Sequence, residues 1–364
     1  MREQGRSLIH LEMIRIIAIW FVVFNHTWTS GFMFYSAVGI SYRYYYPLLS
    51  VSVLCKIAVP LFFMISGALL LGREESYRQV YGKRVLRIVI VLILFSLLEY
   101  CYKLAGSGSM GERINSAVSH FSMRDFVWGI YSTEQAAAYW YLYAYLAFLM
   151  MLPLLRRMVR EMKKKDYLYL IILHVIFCGV CPVTEYLLCR ETGIMQEDFN
   201  VVLVTSTAVF YPLLGYFMEH VLEKEQYTIR NMLLLISSGI IAVVFTGILT
   251  THRMKLTGDK TAEVFHSVLI FFPVIAVYFT VKYLCGKHKL PGVLRNIIAS
   301  AGSTVFGIML FEDILRKEEM VIFESLQPGI GIFAACIVWV TAVVVSGSLL
   351  TWLLKRLPGL RELL

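Results

Sequence analysis

Residues 8–28 read LIHLEMIRIIAIWFVVFNHTW. The run is apolar enough to enter a bilayer, yet it holds Arg15 inside the apolar stretch and Asn25-His26 at its far end. The step from Arg15 to His26 turns a helix through three turns and about 20°, so the two share one face, about 16 Å apart along the axis. A central arginine costs roughly 2.5–3.5 kcal/mol on insertion, while each Ile, Phe or Val returns only about 0.3–0.6 kcal/mol. The apolar residues of this segment barely offset it. Such a helix turns its polar face to protein or water, and ionisable groups there are functional candidates. The bland alternative is that Arg15 snorkels to the inner boundary and His26 caps the outer end. Finding both on one face makes that alternative the weaker.

The rest of the chain has the same character. Of its 364 residues 58% are hydrophobic and only 16% charged, with a mean hydropathy of +0.68. Soluble domains carry nearer a quarter charged residues. The hydrophobicity comes in repeated blocks of about twenty, the length of a membrane helix. The alternating segments of about ten residues that a β-barrel needs are absent. The expected fold is therefore all-α: a polytopic integral membrane protein, one domain over residues 1–364, with no soluble domain at either end. No small-x-small cleavage site follows the first run, so it reads as a retained span.

Ten spans are expected, at 8–28, 47–71, 85–105, 139–156, 167–188, 199–220, 232–250, 264–285, 295–315 and 329–354. Loops after even-numbered spans, with the termini, hold 21 Lys and Arg against 9 in the opposite loops. Both termini are expected on the cytoplasmic side, as an even number of spans requires. The +9 net charge is then explained by topology and implies no nucleic-acid partner. Cys178 and Cys181 sit inside an apolar span without a second cysteine pair, which favours packing over metal or redox chemistry; no metal is expected.

The second span ends in PLFFMISGALLLGRE, where the Ser66-Gly67 pair lets a neighbouring helix approach closely. Lys56 in its outer half wants a partner, and depth suggests Glu99 of the third span. In GREESYRQVYGKRVLRIVIV, Arg84 and Arg87 share a face at the cytoplasmic mouth of the third span. Arginine forks suit phosphates, although an inside-positive anchor uses the same residues. Aromatic stretches, SYRYYYP (Ser41 to Pro47) and the 106–138 loop running into YWYLY, fall outside by the charge count. Their rings suit sugars, but an interfacial aromatic belt looks the same.

These stretches resemble, in order, the motifs of the acyltransferase family 3 membrane proteins. IRIIAIWFVVFNH is similar to the family's R-x10-H signature, PLFFMISGALLL to its second-helix motif and GKRVLRI to its R-x-x-R motif. YWYLYAYLAFLMMLPLLRRM resembles the stretch written HLWYLY…L..PLL, and GSTVFGIMLFEDIL the late S.TFGIYLIH segment. Two positions depart: Tyr139 stands where many relatives carry histidine before the tryptophan, and Glu312 where the late segment ends in histidine.

The resemblance implies transfer of an acyl group, usually acetyl, from cytosolic acyl-CoA to a hydroxyl of an extracytoplasmic acceptor. Acyl-CoA would act as co-substrate, with no permanently bound cofactor. His26 is expected to take the hydroxyl proton or to carry the acyl group as a nucleophile. Arg15 would hold a donor phosphate or stabilise the oxyanion. Arg84 and Arg87 would bind the donor. Glu12, one turn from Arg15, would fix its rotamer, and Glu312 or Asp313 would orient His26. Asn25, Ser66 and Trp140 are expected in support, Trp140 at the acceptor side. The expected location is a bacterial cytoplasmic membrane and the expected acceptor a cell-surface glycan. A transporter or glycan exporter using the same polar cavity, and a structural or sensory subunit, are the competing classes.

Overall fold

A computed structural model describes residues 9–132, 135–196, 198–258, 265–288 and 290–364. Arg2, Arg6, Lys260 and Lys289, which entered the charge count, lie outside the described residues, as does Leu8 at the start of the first expected span. The described residues are helical and contain no strand. Seven helices are long and apolar enough to cross a membrane. In chain order the main elements are α1 (Ile9–Asn25), α2 (Tyr45–Leu70), α3 (Tyr77–Ala105), α4 (Met110–His120), α5 (Met123–Ser132), α6 (Trp140–Glu161) and α7 (Lys164–Cys189). They continue with α8 (Thr207–Tyr216), α9 (Ile229–Thr257), α10 (Phe271–Lys287), α11 (Gly292–Glu318), α12 (Met320–Ile330) and α13 (Ile332–Leu354).

The seven are α2, α3, α6, α7, α9, α11 and α13. The other three expected spans are helical but short. α1 and α10 have 17 residues each, and α8 has 10 before a five-residue π-turn, Phe217–Val221. Within the expected 106–138 loop, residues 110–132 carry the short helices α4 and α5. Ser109 and Glu112 form a capping box at the start of α4, a local signal that the sequence carried.

α1 is the axis of the bundle, packed by α2, α10, α11 and α13. Ile14, Ala18, Ile19 and Val23 are fully buried. Lipid tails are as apolar as leucine, so helices here associate by close packing and not by expulsion from water. Small residues mark each tight crossing. A Cβ on Gly67 of α2 would strike the backbone of Pro212 in α8, and one on Gly215 would strike the backbone of Met64. The neighbour for which Ser66-Gly67 makes room is thus α8. Gly302 of α11 faces the Glu12 side chain of α1, and Gly307 faces Thr351 of α13.

A partly buried polar cluster ties α1 to α10 and to the π-turn that follows α8. His10 Nε2 donates to Glu219 Oε1 at 2.9 Å and the Tyr278 hydroxyl to the same oxygen at 2.8 Å. Lys282 Nζ lies 3.1 Å from Glu219 Oε2. Every member has a partner of matching charge or hydrogen-bonding type, as a stable interior requires.

Candidate functional site

Arg15 and His26 face two different cavities that meet at a common wall. The first, about 510 Å³, is bordered by Asn25, His26, Lys56, Trp140 and Tyr141 among others. The second, about 390 Å³, is bordered by Arg15, Ser66, Arg73, Arg84, Arg87 and Tyr145 among others. Phe62, Tyr141 and Met309 border both. The two cavities thus adjoin at three side chains from three helices, α2, α6 and α11. The polar groups cluster by charge: among the described residues four arginines border the second cavity, and Lys56 is the one Lys or Arg bordering the first.

His26 follows directly on the end of α1 and is buried. Its Nδ1 donates to Glu312 Oε1 at 2.7 Å, and Glu312 is completely inaccessible. With Nδ1–H given to a carboxylate, Nε2 of a neutral ring is the free lone pair. Glu312 comes from α11, where the i, i+4 spacing brings Arg316 Nε to 3.6 Å from Glu312 Oε2. Asp313 does not reach His26. It bonds instead to Arg316 and Lys317, each at 2.5 Å. Asn25 borders the His26 cavity with a buried side-chain oxygen that accepts no hydrogen bond. Trp140 borders the same cavity, half exposed.

Arg15 Nη1 donates to Glu12 Oε1 at 2.5 Å, one turn back on α1. Arg84 lies in the π-turn Val80–Val85 that opens α3, a distortion frequent at functional sites. Its guanidinium is engaged bidentately by Glu75, at 2.8 and 2.6 Å. Arg156 of α6 bonds the same carboxylate at 2.9 Å. Two guanidinium groups hold the Glu75 carboxyl far down, at about 2. Arg87 turns elsewhere and donates to the Leu363 carbonyl at 3.3 and 3.0 Å. Arg84 and Arg87 thus border one cavity while their forks point to different partners.

The expected Lys56–Glu99 pair does not form. Both Glu99 oxygens are buried without a hydrogen-bond partner, and the Lys56 ammonium lies 4.6 Å from the Phe32 ring centroid, on the border of the His26 cavity. Depth along two helices says nothing about which faces meet, and that is why the pairing misled. Tyr139, at the position where relatives carry histidine, is fully buried and donates its hydroxyl to the Leu310 carbonyl at 2.9 Å. It ties the start of α6 to α11 two residues before Glu312.

Three contributors were not singled out in the sequence. Tyr141 and Tyr145 stack at 5.8 Å between centroids and border the arginine-lined cavity together with Ser66. Their i, i+4 spacing in YWYLYAY was a readable sign that they share a face. Glu75 had no such sign, because its partners are fixed only when α2, α3 and α6 come together. Among the described residues no group of three or more His, Cys, Asp or Glu could hold a metal ion.

An apolar helical bundle with a carboxylate-oriented histidine on one cavity and an arginine cluster on another defines a polytopic membrane protein with an internal polar site. The family model described as an acyltransferase domain, acyltransferase family 3, matches residues 8–356, and the chain belongs to that family. No curated protein and no solved structure matches the chain.

Proposed function

We propose that this protein is a membrane O-acyltransferase that moves an acyl group, acetyl by preference, from acyl-CoA to a hydroxyl of an extracytoplasmic acceptor. A cell-surface glycan is the acceptor class we favour. The reading places ten spans in a bacterial cytoplasmic membrane with both termini inside, in line with the 21 to 9 bias of basic residues. The observation that carries it is the His26–Glu312 pair at 2.7 Å on a cavity backed by an arginine-bordered one.

In this scheme the phosphates of the donor approach Arg15, Arg84 and Arg87, and the acceptor hydroxyl approaches His26 Nε2. The hydroxyl oxygen attacks the thioester carbonyl as Nε2 takes its proton. The C–S bond breaks, and the CoA thiolate recovers the proton from the imidazolium. Glu312 fixes the ring and stabilises the imidazolium as it forms. The thioester reaches His26 only when Phe62, Tyr141 and Met309 part, which also keeps water from the donor between turnovers. Glu12 holds Arg15, and Ser66 borders the donor cavity. Asn25 offers a buried acceptor for a substrate hydroxyl, and Trp140 a ring for a sugar face. Asp313 acts on Arg316 and Lys317, so its part is structural.

Two opposed cavities with a thin wall are also what a carrier would have, which favours a transporter or exporter as the second reading. The experiment that separates them supplies purified protein with labelled acetyl-CoA and cell-wall glycan extract and follows free CoA. Acceptor-dependent CoA release that vanishes in His26→Ala supports the transferase. Glycan flux in vesicles without CoA, surviving His26→Ala, would establish the carrier instead.

A further inference from the structure

The segment between α3 and α6 carries a surface that the acyl-transfer reading does not use. On α4, Met110, Ile114 and Val118 recur every fourth residue and so form one stripe; they are 74%, 55% and 73% exposed. On α5, Met123, Val127 and Tyr131 repeat the spacing, with Trp128 beside Tyr131 at 6.0 Å between ring centroids. All four are exposed. Eight exposed large apolar side chains, counting Phe121, lie within residues 110–131. Contiguous apolar surface of this kind marks an interaction site.

The other faces of the two helices are accounted for. Toward the bundle, Ser116 donates to the Leu104 carbonyl at 2.7 Å and Arg113 bonds Glu318 at 2.7 Å. Phe126 is buried against Tyr100, with ring centroids 5.7 Å apart. Around the α4 axis, Glu112, Asn115 and Ser119 lie together on the polar side. The apolar stripe lies between the polar side and the bundle-facing side. That is the order in which a helix lying flat beside a membrane bundle presents its surfaces to water, bilayer and protein.

The neighbouring part of α3 indicates what covers the stripe. Leu94 and Leu98, in the C-terminal half of that apolar span, are exposed, as lipid-facing side chains of a membrane-crossing helix are. The hairpin packs directly on α3, so its stripe is carried on the same apolar span as these exposed leucines. We propose that α4 and α5 form an interfacial hairpin whose apolar stripe is seated in the boundary between lipid headgroups and acyl chains, with Trp128 and Tyr131 at headgroup level. Lys103 of α3 bonds the Gln135 carbonyl, and Ala138 and Trp140 border the His26 cavity.

The test reads position and not catalysis, so it stands whether or not the protein transfers acyl groups. The protein is reconstituted into phosphatidylcholine vesicles with and without lipid brominated near the headgroup end of its chains. The difference between wild type and Trp128→Phe isolates Trp128 from the other tryptophans. Trp128 emission is expected to lose most of its intensity to brominated lipid and little to aqueous iodide. The double variant Ile114→Asp, Val118→Asp alters exposed positions only and is expected to shift Trp128 toward iodide access. Quenching of wild-type Trp128 by iodide alone would overturn the proposal, since the hairpin would then stand in water. Protection from both quenchers would overturn it in favour of a protein partner, such as a second copy. Unchanged lipid quenching in the double variant would show that the stripe is not what docks.

Discussion

His26 and Glu312 are 286 residues apart in the chain and 2.7 Å apart in space. Burial makes that contact consequential, because a carboxylate excluded from water needs a partner that can bear positive charge. Replacing His26 with Ala is expected to lower acyl transfer by about 100- to 10,000-fold, the usual contribution of a general base, with insertion and thermal stability largely retained. Glu312→Gln keeps the shape but loses the charge behind the ring. Its expected loss in kcat is up to about 10,000-fold, the scale for turning the carboxylate behind a general-base histidine into an amide. Stopped-flow detection of free CoA measures both. Glu75 supplies a pH-dependent prediction. Its folded carboxyl sits at about 2 against an ordinary 4.5, so its clamp contributes fully above about pH 4.5 and is lost as pH falls toward 2. Thermal melts in detergent between pH 6 and pH 3 should show a falling midpoint, and Glu75→Gln should flatten that slope. At this scale the sequence was partly legible. The shared face of Arg15 and His26 follows from helical periodicity, and Glu12 beside Arg15 from its position one turn back. Glu75 was not legible, since a loop carboxylate between two arginine-bearing helices chooses its partners only on assembly.

At the scale of elements, small residues decide which helices cross. The backbone of Pro212 occupies the space a side chain on Gly67 would need. Gly67→Val is therefore expected to cost at least about 1–3 kcal/mol from overpacking, seen as a lower unfolding midpoint in detergent, while the same change at exposed Gly82 should be nearly neutral. The sequence marked Ser66-Gly67 as a packing signal but could not say that α8 was the partner. The His10–Glu219–Lys282–Tyr278 cluster was equally hidden. Its members come from three helices, and each reads alone as an ordinary interfacial residue. The short helices α4 and α5 were readable at one end only, by the Ser109–Glu112 capping box.

For the molecule as a whole, the central question is whether the two cavities communicate. On the proposed reading, with a bulky donor in one cavity and an acceptor in the other, the Phe62–Tyr141–Met309 wall has to open. Phe62→Trp is expected to raise the barrier between them, lowering kcat while leaving donor affinity, measured by calorimetry with a non-hydrolysable acyl-CoA analogue, nearly unchanged. A loss of donor binding instead would place the wall within the donor site. By itself the sequence determined the helical membrane class, the position of the apolar blocks and the family, because hydrophobic length and period are local properties that any bilayer imposes. Only the tertiary structure decided that Arg15 and His26 face separate cavities, that Glu312 and not Asp313 backs the imidazole, and that Glu99 has no tie to Lys56. Those outcomes depend on the rotation of each helix about its own axis, which is set by packing against several neighbours at once and leaves no trace in the period of any one segment.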